Sequence, residues 1–181
     1  FSRSKDGGLI LKGYETSAIL ADPSAEMTRL PQIRVAVSEL ASKLGLNKDK
    51  IDYAISGQSV FTRFVKLPML DDDDLEKLVA FEAQQHVPFP IDEVIWDWQL
   101  LESPGSEREV VLVAIKEDAL DDLNDCVTHA ELKTGDVDTS PMALANAFRY
   151  NYGDVEGSSL LIDIGARTSN LIYVEGERVF T

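Results

Sequence analysis

Cysteine is nearly absent. Cys126 is the only one in 181 residues, so no internal disulfide can form. Basic residues are outnumbered, 17 lysines and arginines against 32 aspartates and glutamates, for a formal net charge of -15. That balance disfavours nucleic acid and anionic lipid surfaces, which attract basic patches. No apolar run approaches the roughly 20 residues of a membrane-spanning helix, and no secretory leader opens the chain. The expectation is therefore a reducing, cytoplasmic setting. Fixed-period repeats and low-complexity tracts are missing as well. The chain opens on Phe1 instead of methionine, which raises the expectation of a further segment upstream.

What is present can build a core: 44% of the residues are hydrophobic. Residues 9–20 read as a strand, with Tyr14, Thr16, Ala18 and Leu20 on one face and Pro23 breaking the stretch beyond. Ile33, Val37, Leu40, Ala41 and Leu44 recur at helical spacing, and Gly45 is placed to end that helix. Ile51, Tyr53 and Ile55 alternate as a strand that ends near Gly57, completing a β-α-β block.

A second block spans a strand over 60–67, a helix from Leu75 to His86, a strand carrying Val94, Trp96, Trp98 and Leu100, and a doubly buried strand over 110–115. Asp71 to Asp74 precede the helix. Four adjacent acids without an intervening glycine suit a helix N-terminus better than a calcium loop. Leu75, Leu78, Val79 and Ala83 form the buried stripe, and Pro88 and Pro90 force extended chain. Ala119, Leu120, Leu123, Val127 and Ala130 mark a further amphipathic helix, with Cys126 as a small core or boundary residue. After a short strand near Val137, Ser140 and Pro141 read as N-cap and first residue of a last helix.

The stretch "LLIDIGARTSNLIYVEGERVFT" then reads as a hairpin turning at Glu175-Gly176-Glu177 towards a third strand. A strand delivers Asp163 to its end, Gly165 permits a tight turn, and Thr168 and Ser169 add hydroxyls. Such a turn can cradle phosphate oxygens while the aspartate holds a hydrated Mg²⁺. An ordinary hairpin with a hydrophilic turn reads the same residues equally well.

"DIGARTSN" followed by an apolar strand resembles the phosphate-binding hairpin of the actin/Hsp70-like ATPases. The longer segment "ISGQSVFTRFVKLPMLDDDDLEKLVAFEAQQHVPFPIDEVIWDWQLL" resembles the PilM family, actin-like cytoplasmic proteins of type IV pilus assembly related to FtsA. This resemblance spans essentially the whole chain. It implies an α/β architecture, the actin-like (RNase H-like) ATPase fold with an α+β insert. Subdomain 1A would comprise 1–57 and 135–152, the inserted subdomain 1C 58–134, and the start of subdomain 2A 157–181. The first hairpin would precede Phe1, and the adenine pocket would follow Thr181, so the chain reads as an internal fragment.

The resemblance implies ATP with Mg²⁺ in the full-length protein and no nucleotide held tightly by this chain alone. Asp163 would hold the Mg²⁺ through water, and Gly165, Ala166, Arg167, Thr168, Ser169 and Asn170 would face the phosphates. Arg167 either reaches a phosphate or points to solvent. No catalytic base is expected. The implied partner is the N-terminal cytoplasmic peptide of a PilN-like inner-membrane protein, bound between 1A and 1C. Its expected walls are Phe64, Leu67, Phe81, Gln85, Pro88, Phe89 and Trp98, with core packing as the other reading of these rings. Glu82 and His86 lie one turn apart in the apolar stripe, as a structural pair, two metal ligands, or groove residues with Glu82 accepting peptide N–H groups. Pilus motor ATPases and self-association are further expected partners. The alternative function is an actin-like ATPase, or a GspL-like or FtsA-like protein.

Overall fold

The computed structural model describes residues 1–19, 26–101, 106–166, 168–176 and 178–181. The expectations for Leu20, Pro23, Arg167, Glu177 and the 102–105 part of the loop lie outside the described residues. The chain packs as two compact units, one of residues 1–52 and 121–136, the other of 53–120 and 137–181. This division, drawn by packing, differs from the subdomain boundaries implied by the resemblance.

In the first unit, β1 (Ser2–Arg3) pairs antiparallel with β2 (Leu9–Ile10). The strand expected over 9–20 shrinks to those two residues. Residues 11–19 carry no strand, because alternation makes a strand only where a ladder partner lies alongside. Helix α1 (Glu26–Leu44) buries Ala36 and Ala41. It ends as its sequence requires: Gly45 takes φ +69°, its N–H reaches the Ser42 carbonyl, and Leu46 N–H reaches that of Ala41.

Strand β3 (Lys50–Ile55) pairs with β7 (Lys133–Thr139), and α3 (Glu117–His129) precedes β7. Cys126 is 1% exposed and its Sγ donates to the Asp122 carbonyl at 3.2 Å, the arrangement of a core residue on α3.

The second unit is built on an antiparallel sheet in the order β4–β6–β5, from β4 (Phe61–Pro68), β5 (Val94–Leu101) and β6 (Glu107–Lys116). Helix α2 (Asp72–His86) lies on one face. Asp71 caps it, accepting the Asp74 N–H at 3.0 Å, so the aspartate run serves the helix start. Leu75, Val79 and Ala83 pack against Val65, Leu67, Val110 and Leu112, with Leu78 half-buried at the margin.

The other face of β6 buries Val111 and Ile115, as expected of a strand covered on both sides. Beyond α4 (Ser140–Tyr152) the chain forms an antiparallel meander of β8 (Ser158–Ile164), β9 (Ser169–Glu175) and β10 (Arg178–Phe180). One face of the meander packs on α4 through Ile172, Val174, Val179 and Ala145. On the other face Leu160, Ile162, Ile164 and Leu171 stand 59%, 57%, 80% and 59% exposed. Phe64 and Phe180 pack as tilted rings with centroids 5.0 Å apart, and Arg178 Nη2 reaches Glu109 Oε2 at 3.3 Å. The cap of α4 falls one residue earlier than expected, on Thr139. Ser140 is already helical, and its hydroxyl donates to the Ile55 carbonyl at 2.7 Å in place of capping. No helix among the described residues is long and apolar enough to cross a membrane.

Candidate functional site

Asp163 and Asn170 are cross-strand partners in the β8–β9 ladder. The Asn170 amide donates to Asp163 Oδ2 at 2.9 Å, which fixes a half-buried carboxylate at the end of β8. The turn between the strands closes by Gly165 N–H to the Thr168 carbonyl at 2.9 Å. A Cβ at Gly165 would come 2.9 Å from that same oxygen, so a side chain there would open the turn. Gly165 and Ala166 are exposed, and Arg167 is not described.

Thr168, Ser169 and Asn170 line a cavity of about 460 Å³, whose other walls include Gly57, Gln58, Thr62 and Pro141. Gly57 lets the chain pass closely here: a Cβ would meet Pro141 Cγ at 3.1 Å and Asn170 Oδ1 at 3.4 Å. Two hydroxyls and an amide facing a cavity, with a carboxylate bonded just behind them, are a donor set that suits phosphate oxygens and a hydrated cation. The Gly165 N–H is occupied within the turn, so side chains carry more of this fit than the backbone does. Among the described residues no group of three or more His, Cys, Asp or Glu side chains could hold a bare metal ion.

The residues expected to wall a peptide groove are divided between the core, the opposite sheet face and the exposed end of α2. Leu67, 3% exposed, belongs to the core beneath α2. Phe64 is on the opposite face of the sheet, packed against Phe180. Phe81 and Gln85 are exposed one turn apart on α2, and Pro88 and Phe89 are exposed in the segment that follows. Phe89 is covered in part by Lys116, whose Nζ stands 4.9 Å from the ring centroid. Glu82 Oε2 and His86 Nε2 form a half-buried pair at 2.9 Å, the contact expected of a structural pair. Trp98 packs against the α2 core and also borders a larger concavity.

That concavity, about 490 Å³, runs between β5 and α4. Residues 97–101 of β5 line it in unbroken succession. Met142, Asn146 and Arg149 face them from α4, at the spacing of one helical stripe. Val111, Val113 and Val179 give it an apolar floor. Arg149 is anchored by its Nε to the Gly176 carbonyl at 3.2 Å, while its Nη2 is buried without an acceptor among the described residues. The carboxylates of Asp97 and Asp138 each accept the N–H of the residue that follows, Trp98 at 2.8 Å and Thr139 at 2.7 Å. Sequence reasoning found Trp98 here and missed Asp97, Gln99 and Arg149. The signal lay in β5 itself, where a polar side chain alternates with each tryptophan.

The family described as Type IV pilus assembly protein PilM matches the chain over residues 2–181. The solved PilM-PilN type IV pilus biogenesis complex aligns with a TM-score of 0.70 at 23% identity, over 95% of this chain and 51% of that one. The cytoplasmic domain of EpsL, an inner-membrane component of the Vibrio cholerae type II secretion system, aligns with a TM-score of 0.56 at 11% identity, over 81% of this chain and 55% of that one. At such identities the likeness is one of fold, the actin-like fold. The chain spans about half the length of the solved structures it matches.

Proposed function

The chain belongs to the PilM family of type IV pilus assembly proteins, and on that premise we propose that it is part of a nucleotide-binding scaffold that docks the N-terminal peptide of a PilN-like inner-membrane protein. The concavity between β5 and α4 carries the peptide half of this reading. It lies where the resemblance puts the boundary of 1C with 1A, and it combines an apolar floor with a polar rim, the build of a peptide groove. Docking would hold the protein at the cytoplasmic side of the inner membrane through its partner. Binding is the reading favoured over turnover, because the described side chains of the turn that line the cavity are two hydroxyls and an amide, groups that hold phosphate oxygens.

The groove is tested by titrating a labelled PilN-like N-terminal peptide into three proteins: wild type, Asn146→Trp and Phe81→Ala. Asn146 is exposed on α4, so the indole would fill the groove without entering the core. Asn146→Trp is expected to weaken binding at least about tenfold with an unchanged denaturant midpoint, as for a blocked anchor pocket. Phe81→Ala, on the exposed side of α2, is expected to bind as wild type. The opposite pattern would return the site to the end of α2.

The nucleotide half rests on Thr168, Ser169 and Asn170 for phosphate oxygens and on Asp163 for the Mg²⁺. In the full-length protein, Asp163→Ala is expected to lower Mg-ATP affinity by roughly 10–100-fold, the usual effect of losing a group that acts on a metal through its outer shell. Isothermal titration with and without Mg²⁺ checks it. A loss of equal size without the metal would assign Asp163 to the turn's shape instead.

A further inference from the structure

We propose, resting on the nucleotide reading above, that Gln58 and Thr62 hold the terminal phosphoryl group of a nucleoside triphosphate from the wall opposite the Thr168–Asn170 turn, and so select a triphosphate over a diphosphate. Two observations lead there independently.

The first is the make-up of the cavity beside the turn. Its walls come from two distant stretches of chain. The turn supplies the Thr168 and Ser169 hydroxyls and the Asn170 amide, and the stretch that leaves β3 supplies the Gln58 amide and the Thr62 hydroxyl. No aspartate or glutamate is among the described residues that line it. In a chain with 32 acids and a formal charge of -15 such a wall is an exception, and the concavity beside β5, by contrast, is lined by Asp97 and Asp138. Neutral donors with no carboxylate among them receive an anion without repulsion. The Asp163 carboxylate stands behind this wall, bonded to Asn170, where the reading above puts the Mg²⁺.

The second is how the opposite wall is held. Gly57 passes the turn so closely that a Cβ would come 3.4 Å from Asn170 Oδ1 and 3.1 Å from Pro141 Cγ. Gln58 is the first side chain beyond that narrow passage, and it is exposed. Its backbone is set by one 3₁₀ turn over Gly57–Ser59, closed by Ser59 N–H to the Ser56 carbonyl at 2.9 Å. Val60 and Thr62 follow in the lining at the two-residue period of extended chain. Along β4 that face continues to Phe64, which packs against Phe180, so the half-buried Thr62 shares the face turned towards the meander. A terminal phosphoryl group spreads its charge over three outer oxygens. Donors confined to one turn reach one side of such a group. The oxygen on its far side needs donors from across the cavity, which Gln58 and Thr62 provide. A diphosphate lacks the group that spans the two walls.

The experiment titrates the full-length protein with Mg-AMP-PNP, a triphosphate analogue that resists hydrolysis, and with Mg-ADP. Gln58→Met and Thr62→Val keep the length or branching of the side chain and remove its donor. Each is expected to weaken the triphosphate analogue at least about tenfold and ADP less than about twofold, since hydrogen bonds to a charged group are among the stronger ones. Thr62→Ser, which restores the hydroxyl, is expected to bind both ligands as wild type does. Gln58 is exposed, so Gln58→Met decides the question even where Thr62→Val lowers the urea midpoint. Equal losses for the two ligands, or unchanged affinity for both in Gln58→Met, overturn the selection. A wild-type protein that binds both ligands equally well also overturns it and leaves the nucleotide reading standing. One that binds neither sinks the nucleotide reading itself.

Discussion

Leu75→Ala is expected to destabilise the second unit by about 2–5 kcal/mol, the range for a buried leucine cut to alanine where the surroundings collapse only in part. Leu75 is 2% exposed in the cluster between α2 and the sheet, with Val79 and Ala83 following it on the helix, both 0% exposed. Those two neighbours are small and set on a helix already capped by Asp71, so they have little freedom to move into the space. Leu78→Ala provides the contrast. It belongs to the same helical stripe by spacing, yet it is half-buried at the edge of the cluster and should cost distinctly less. Urea melts of the two variants, read at constant m-value, separate the cases. Equal losses would mean that the core extends over Leu78 more completely than its exposure indicates.

Removing Arg178 is expected to cost about 3 kcal/mol, the low end for breaking a buried ion pair from one side. Glu109 is 3% exposed on β6, and Arg178 Nη2 at 3.3 Å is its cation. In Arg178→Met the carboxylate would keep its burial and lose that partner. The low end applies because the Arg178 side chain is 28% exposed and water reaches part of it. Arg178 also contacts Glu175 at 3.4 Å and lies over the Phe180 ring at 5.1 Å, and a methionine stem keeps much of the second contact. The decisive comparison is the double variant Glu109→Leu with Arg178→Met. It should recover most of the loss, since replacing both charges by apolar groups removes the stranded one. A double variant as unstable as the single would assign the cost to packing.

How much of this was open to reading from sequence differs by element, for physical reasons. α2 was legible almost to the residue. Its acidic start, its 3.6-residue stripe and the prolines beyond it are local signals, and local hydrogen bonds obey them. The strands β4, β5 and β6 were legible as strands, but their order was not. β6 lies between the other two, and nothing in a period of two says which neighbour a strand will take. The Arg178–Glu109 pair joins residues 69 apart, beyond any window that reads periodicity. The Asp163 turn was legible because the turn chemistry is compact, whereas its cavity wall at Gly57 and Pro141 comes from distant chain. The groove illustrates the same limit. Aromatic residues drew attention to the end of α2, while the concave surface is assembled from consecutive residues of β5 and one stripe of α4.

The strand order of the central sheet also sets a sequence of events in time. β5 and β6 are consecutive and antiparallel, so their hairpin closes over a short loop. β4 reaches the far side of β6 only by spanning α2 and β5, with Phe61 meeting Ala114 and Pro68 meeting Glu107. Loop-closure entropy delays such distant pairings relative to local ones. During synthesis β4 and α2 leave the ribosome first and have no β6 to pair with. Through that interval the four aspartates at the start of α2, next to Phe61, Phe64, Val65 and Leu67 of β4, act with Arg63 and Lys66 as charged guards against the wrong partners. The helix cap of the folded protein thus doubles as protection for the nascent one.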